Sequence, residues 1–284
     1  MGKSIRIIAR MDIKGPHLVK GIHLEGLRVL GTPEEFAKHY YEHGADELFY
    51  QDVVASLYGR NSLDDFINKA AMSSFIPMTV GGGIRTIADI TRVLRAGADK
   101  VSINTAGIQN PQFIKDAVQV FGSSTIIVAI EAIRDSKGNY LAYTDNGREY
   151  TGVDVYDWAK KIEELGAGEI CLTSVDRDGT NAGFDIELVK NVSTSVNIPV
   201  IAHGGAGTPE DIAQVVTDGR ADAVALSSII HYDYVKNRTE KIDYNDGEGN
   251  TEFLKRNTSL NQINSYSIET IKNAISKENI NCRI

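Results

Sequence analysis

Residues 79–104 read TVGGGIRTIADITRVLRAGADKVSIN. A short apolar strand runs into three glycines, Gly81, Gly82 and Gly83. Thr86 stands where a helix N-cap belongs, with Asp89 three residues on, a variant of the capping box. Ile87, Ile90, Val93 and Leu94 fall on one helical face, and Gly97 ends the helix before a strand over 100–103. Glycines let backbone N–H groups approach a ligand, and the helix N-terminus behind them favours an anion. The stretch predicts a phosphate cradle between two strands. The same glycines also fit a tight turn with no ligand.

The layout occurs twice. Residues 198–228, IPVIAHGGAGTPEDIAQVVTDGRADAVALSS, repeat it, with Thr208-Pro209 as N-cap and first helical residue. Gly82 and Gly204 are 122 residues apart, Asp99 and Asp222 are 123 apart, and Asp12 and Glu131 are 119 apart. His43-Gly44-Ala45-Asp46 is echoed by Leu165-Gly166-Ala167-Gly168 at the same offset. Four landmarks at offsets of 119–123 imply two half-domains of four strand–helix units. Eight such units close into a (β/α)8 TIM barrel of about 250 residues.

The chain has 284 residues, which fits one barrel domain over 1–284 plus a long insertion after the eighth strand. The insertion is read as the polar stretch 233–264 in the loop between the eighth strand and the last helix, itself expected over 267–277. A net charge of −8 argues against a nucleic-acid or anionic-membrane binder. Two cysteines, Cys171 and Cys282, make no disulfide framework. Without an export signal or a spanning segment the expected location is cytoplasmic. The other expected strands are 5–12, 47–54, 76–80, 125–131, 169–175, 200–203 and 223–227, with a long loop over 13–32, a helix after Asn61 and a hairpin around Asn146-Gly147. His39-Tyr40-Tyr41-Glu42-His43 fits an H-x-x-E-H zinc pattern but falls on an outer helix, so neither metal nor cofactor is expected.

Barrel enzymes react at the carboxyl ends of their strands. Asp12, Asp52, Asn104, Glu131, Asp176, Asp178, His203 and Ser228 all fall there. Asp12 and Glu131 end the first and fifth strands, on opposite sides, where two carboxyl groups suit acid–base work on a molecule held between them. Two cradles on opposite rims suit a substrate with a phosphate at each end.

These motifs, with TVGGGIRT, GADKVSIN, GAGEICLTSVDRDGT and GGAG, resemble the HisF family, the cyclase subunit of imidazole glycerol phosphate synthase. The resemblance implies that ammonia from a glutaminase, a class I amidotransferase, enters the barrel at its N-terminal face and attacks a bis-phosphorylated ribulosyl–carboxamide nucleotide. It implies Asp12 and Glu131 as catalytic residues. It places one phosphate at Gly83, Asn104 and Thr105, and the other at Asp178, Gly179, Gly205 and Ser228. Lys20 matches a lysine on a mobile loop over the site. Arg6, Glu47, Lys100 and Glu169 match the salt-bridged ring where ammonia enters; the sister isomerase barrel needs no such ring.

The departures cluster at the reaction face. Glu131 stands where the family has an aspartate, Arg10 where a cysteine is usual, Gln51 beside Asp52 where an apolar residue is usual, and His203 where a serine is usual. Arg10 shares the face of Asp12 on its strand and so points into the barrel, with Glu131 or a substrate anion as its expected partner. The favoured expectation is therefore a divergent paralogue that helps form an acetamidino sugar for a surface polysaccharide, beside a further amidotransferase. The alternatives are the histidine cyclase itself, making imidazole glycerol phosphate and aminoimidazole carboxamide ribotide, and a non-catalytic ammonia conduit.

Overall fold

The computed structural model describes residues 4–55, 64–238 and 263–283. Its strands are β1 (Arg6–Lys14), β2 (His17–Ile22), β3 (Glu25–Gly31), β4 (Glu47–Asp52), β5 (Met78–Gly81), β6 (Lys100–Ile103), β7 (Ile126–Arg134), β8 (Tyr140–Thr144), β9 (Glu149–Asp154), β10 (Glu169–Ser174), β11 (Val200–His203) and β12 (Ala223–Leu226). β1, β4, β5, β6, β7, β10, β11 and β12 pair in that order, all parallel, and β12 returns to β1 with Arg6 opposite Ala223. Helices lie between the strands, so the chain is a closed (β/α)8 barrel.

Strand alternation sorts the apolar residues into two cores. Ile7, Ala9, Met11 and Ile13 of β1 face outward into the large core shared with the helices. Ile8 faces inward and joins Phe49, Ile127, Ala129, Cys171, Ile201, Ala223 and Ala225, an apolar layer across the barrel interior. β8 and β9 form the hairpin expected around Asn146-Gly147, antiparallel to the top of β7.

The helices start where the sequence supplies caps. The side chains of Thr86 and Thr208 each accept a hydrogen bond from the backbone three residues on, and Asp89 and Asp211 return the bond, completing both capping boxes. Behind each glycine cradle, then, a helix N-terminus is held in the same way.

Three expectations are corrected. The loop read over 13–32 is largely two strands, β2 and β3, which extend β1 upward as a hairpin. Its turn is His23-Leu24, both at positive φ, a geometry that neither residue type advertises. The polar insertion begins later than 233, because the helix Ser228–Asn237 runs through that point; most of the remainder, 239–262, lies outside the described residues. A short helix, Thr105–Gln109, follows β6 where none was expected. The helix expected after Asn61 is described over Asp64–Ser73; residues 61–63 lie outside the described residues. Among the described residues no helix is long and apolar enough to cross a membrane.

Replacing Thr208 by alanine removes one half of its capping box. The expected loss is about 1 kcal/mol of stability, read from the urea midpoint, with no change of fold.

Candidate active site

At the mouth where the strands begin, four charged side chains meet. Arg6 donates to Glu47 at 2.7 Å and to Glu169 at 2.6 Å. Lys100 closes the ring, 2.6 Å from Glu169 and 3.3 Å from Glu47. The sequence-derived ring of Arg6, Glu47, Lys100 and Glu169 is thus assembled from β1, β4, β6 and β10. Burial opposes the charge on Arg6, yet its bonds to Glu169 and Glu47 outweigh that and raise its pKa. Burial likewise pushes Glu169 up, and Arg6 and Lys100 pull it below its ordinary value. Each member contacts two of opposite sign, so removing one would leave the other three paired but with a net charge that the ring no longer balances.

Above the apolar layer Arg10 crosses the barrel. Its guanidinium lies 5.6 Å from the Phe49 ring centroid. Nη1 donates to Thr173 at 3.1 Å and sits 3.3 Å from His203 Nδ1, while Nε reaches Asp12 at 3.3 Å. Arginine has only donors, so Nδ1 of His203 accepts and its proton sits on Nε2, which faces Ser227 Oγ at 3.4 Å. Burial, then the neighbouring Arg10 and Lys20, hold the His203 pKa well below its usual value, so it is neutral. The expected partner Glu131 makes no hydrogen bond to Arg10. Glu131 accepts instead from the Gly147 backbone N–H at 2.8 Å, in the turn of the β8–β9 hairpin.

The resemblance puts Lys20 on a mobile loop over the site. Lys20 is 1% exposed, 2.8 Å from Asp178 and 3.5 Å from Asp12. The hairpin that carries it is tied down by His23 N–H to the Asp178 carbonyl at 2.9 Å and by Asn146 Nδ2 to the Leu24 carbonyl at 3.0 Å. Arg10, Lys20, Asp12 and Asp178 form a buried cluster with two charges of each sign. Burial raises Asp12, and Lys20 with Arg10 overcome it, holding the carboxylate below its ordinary pKa.

Each glycine stretch borders a recess. The larger, of about 690 Å³ including its open mouth, is lined by Gly82, Gly83, Arg85, Asn104, Thr105 and Glu131, and its walls include Arg10, Gln51 and Asp52. The smaller is lined by Asp178, Gly179, Gly204, Gly205 and Ser228, together with His203. The backbone is why these positions are glycine. A Cβ on Gly82, at φ +101°, would collide with the Asp52 carbonyl, and one on Gly205, at φ +109°, with the Gly183 carbonyl. Asp12 lines neither recess. The expectation of two carboxyl groups facing each other across one space is therefore corrected: Glu131 borders the larger recess, and Asp12 lies sealed beneath Arg10 and Lys20.

Sequence reasoning missed Thr173, Ser227 and Asn146. The first could have been found, because Thr173 shares strand parity with Glu169 and Cys171 and must point inward. Asp176 turns away and accepts from the Arg134 backbone at 2.8 Å. His39 stacks on Tyr234 with centroids 4.1 Å apart, and His43 bonds the His39 carbonyl. Among the described residues no group of three or more His, Cys, Asp or Glu side chains is placed to hold a metal ion.

Comparison with known proteins bears on this arrangement. A family model described as "Histidine biosynthesis protein" matches residues 6–236. The imidazole glycerol phosphate synthase subunit HisF of Legionella pneumophila is 58% identical over 208 residues, 73% of this chain and 98% of the relative. The HisF subunit of Methanopyrus kandleri is 46% identical over 250 residues, 82% of this chain and 92% of the relative. That of Lactococcus lactis is 49% identical over 229 residues, 80% and 88% of the two chains. With a ringed barrel, two glycine-lined recesses and these relatives, the chain belongs to the histidine biosynthesis protein family, as a relative of the enzyme subunit HisF.

Proposed function

We propose that this chain is the ammonia-using synthase subunit of a glutamine amidotransferase complex. The observation that carries the reading is the order of layers along the barrel axis: a charged ring at one mouth, an apolar layer within, and carboxyl groups with glycine cradles at the other mouth. An apolar layer is costly for an ion and passable for a small neutral molecule such as ammonia. Met72 and Val120, in the last turns of the helices Asp64–Ser73 and Pro111–Phe121, and Phe75, before β5, are 75%, 59% and 81% exposed, apolar surface of the kind a partner covers. A glutaminase docked there would release ammonia against the ring.

At the reaction face the two carboxyl groups divide the proton work. Arg10 and Lys20 keep Asp12 ionised; it takes a proton from the attacking nitrogen once the Lys20 side chain moves aside and uncovers it. Burial raises Glu131 to about 7, although Gly147, Arg10 and Asn104 oppose it. That value suits a group which donates a proton to a leaving oxygen or nitrogen near neutral pH. Gly83, Asn104 and Thr105 are read as one anion cradle; Asp178, Gly179, Gly205 and Ser228 as the other, with Lys20 closing over it.

For the acceptor, the name that the relatives carry supports the bis-phosphorylated ribulosyl–carboxamide nucleotide, converted to imidazole glycerol phosphate and aminoimidazole carboxamide ribotide. One specific observation favours a second acceptor. Arg10, Glu131 and His203, all at positions where the family usually carries another residue, meet around the space where the reaction would occur. The same ammonia delivery with an acetamido-sugar acceptor, giving an acetamidino sugar for a surface polysaccharide, accommodates those changes.

Three outcomes follow. Asp12→Asn abolishes ammonia-dependent product formation while the chain stays folded; unchanged turnover would move the chemistry elsewhere. Glu169→Lys lowers the glutamine-driven rate at least tenfold relative to the rate with free ammonium; an unchanged ratio would remove the ring from the ammonia path. The third concerns stability. Glu131 loses its proton near its ordinary value of 4.5 in the unfolded chain and near 7 in the folded one, so stability falls as pH rises through that window. Urea midpoints at pH 5 and pH 8 should drop less for Glu131→Gln than for the wild type; equal drops would contradict the buried proton.

A further inference from the structure

The two recesses meet at a wall of side chains. Arg10 and Thr173 line the larger recess and His203 lines the smaller. These three close on one another: Arg10 Nη1 to Thr173 at 3.1 Å, Arg10 Nη1 to His203 at 3.3 Å, Thr173 Oγ1 to His203 at 3.2 Å. Arg10, Thr173 and His203 are 2%, 1% and 2% exposed, so no solvent-filled gap separates them. Ser227 fixes the wall to the barrel by donating to the Arg10 carbonyl at 2.9 Å. Overhead, the bond from Asn146 to Leu24 joins the two hairpins and roofs the same line.

The larger recess offers a complete set of contacts on its own side of that wall. Gly82, Gly83 and Arg85 stand at its outer end. At its inner end Arg10 has used Nε and Nη1, and its Nη2 makes no hydrogen bond among the described residues. Ser102 in the same wall is 3% exposed, and its hydroxyl is buried without a partner. Unpaired buried polar groups are costly and mark places where a ligand group completes the hydrogen bonding.

From this geometry we infer that Arg10 and His203 are specificity-determining residues: they partition the reaction face into two separate anion sites, and the acceptor is held in the larger recess alone. The class of acceptor is one with a single phosphate or diphosphate anchor at the Gly82–Gly83 end and an oxygen-bearing reacting group against Arg10, Ser102 and Glu131. The inference rests on the reading of the glycine recesses as phosphate cradles, and of the two acceptors proposed above it selects the acetamido sugar, since a bis-phosphorylated nucleotide would have to bridge the wall.

The test is an avidity measurement. A ligand that bridges two sites gains about 10²–10⁴ in affinity over its single-site fragment. Calorimetric titration of the wild-type chain compares glycerol 3-phosphate with the bis-phosphorylated ribulosyl–carboxamide nucleotide. The partition predicts that the two bind within about threefold of each other in the wild type, and that in Arg10→Cys/His203→Ser the nucleotide binds at least tenfold tighter than glycerol 3-phosphate. His203→Ser alone opens the wall while keeping the Arg10–Asp12 pair, and serves if the double variant does not fold. Wild-type binding of the nucleotide more than tenfold tighter than of glycerol 3-phosphate would overturn the partition while leaving both cradles in place. Binding of neither ligand would instead overturn the cradle reading, and the partition with it.

Discussion

Everything at either mouth of this molecule depends on one closure, the parallel pairing of β12 with β1. It gives every barrel strand two neighbours, so each inward side chain faces others from across the sheet. Arg6 can then meet Glu169, and Arg10 can meet Thr173, each at 163 residues of sequence separation. An open sheet of the same strands would leave those charges in water and unpaired. The half-barrel repeat supplies the same glycine turn twice, and closure sets the two glycine-lined recesses on opposite rims.

Charge burial then differentiates the two ends. At the strand starts, two cations and two anions alternate around a ring and compensate one another. At the strand ends, Arg10, Lys20, Asp12 and Asp178 also balance, but as a plug across the middle. Both arrangements satisfy the rule that buried charge must be paired. Their consequences differ: the ring closes the mouth where the strands begin, and the plug divides the space at the other mouth. The contrast arises from one position, because an arginine at 10 is long enough to span the lumen and needs acceptors on the far wall. Thr173 and the neutral His203 provide them.

Much of the fold was legible because its signals are local. The strands at 100–103 and 200–203 have the expected bounds, set between capped helices and glycine turns. The ring was legible through the family motifs and strand starts. The hairpin of β2 and β3 was not. Its His23-Leu24 turn takes positive φ without glycine or asparagine, and is held by Asp178 and Val175, some 150 residues away in sequence. The partner of Arg10 was not legible either. Parity says that residue 10 points inward, but the stagger of the closed barrel decides that it reaches β10 and β11 and stops short of Glu131. Asp12 was identified by position, and its sealing beneath Arg10 and Lys20 follows from contacts that only the closed fold brings together.

The central claim is that this barrel joins ammonia nitrogen to an acceptor at its carboxyl-end face. The most direct measurement is incorporation of ¹⁵N from labelled ammonium by the purified, folded chain. The bis-phosphorylated nucleotide and acetamido-sugar nucleotides would be offered in turn, with the glutaminase subunit bound. The account predicts ¹⁵N in the product of one of these acceptors. A folded chain that binds the glutaminase yet transfers no label to either would contradict it and leave the barrel as a conduit for chemistry done elsewhere.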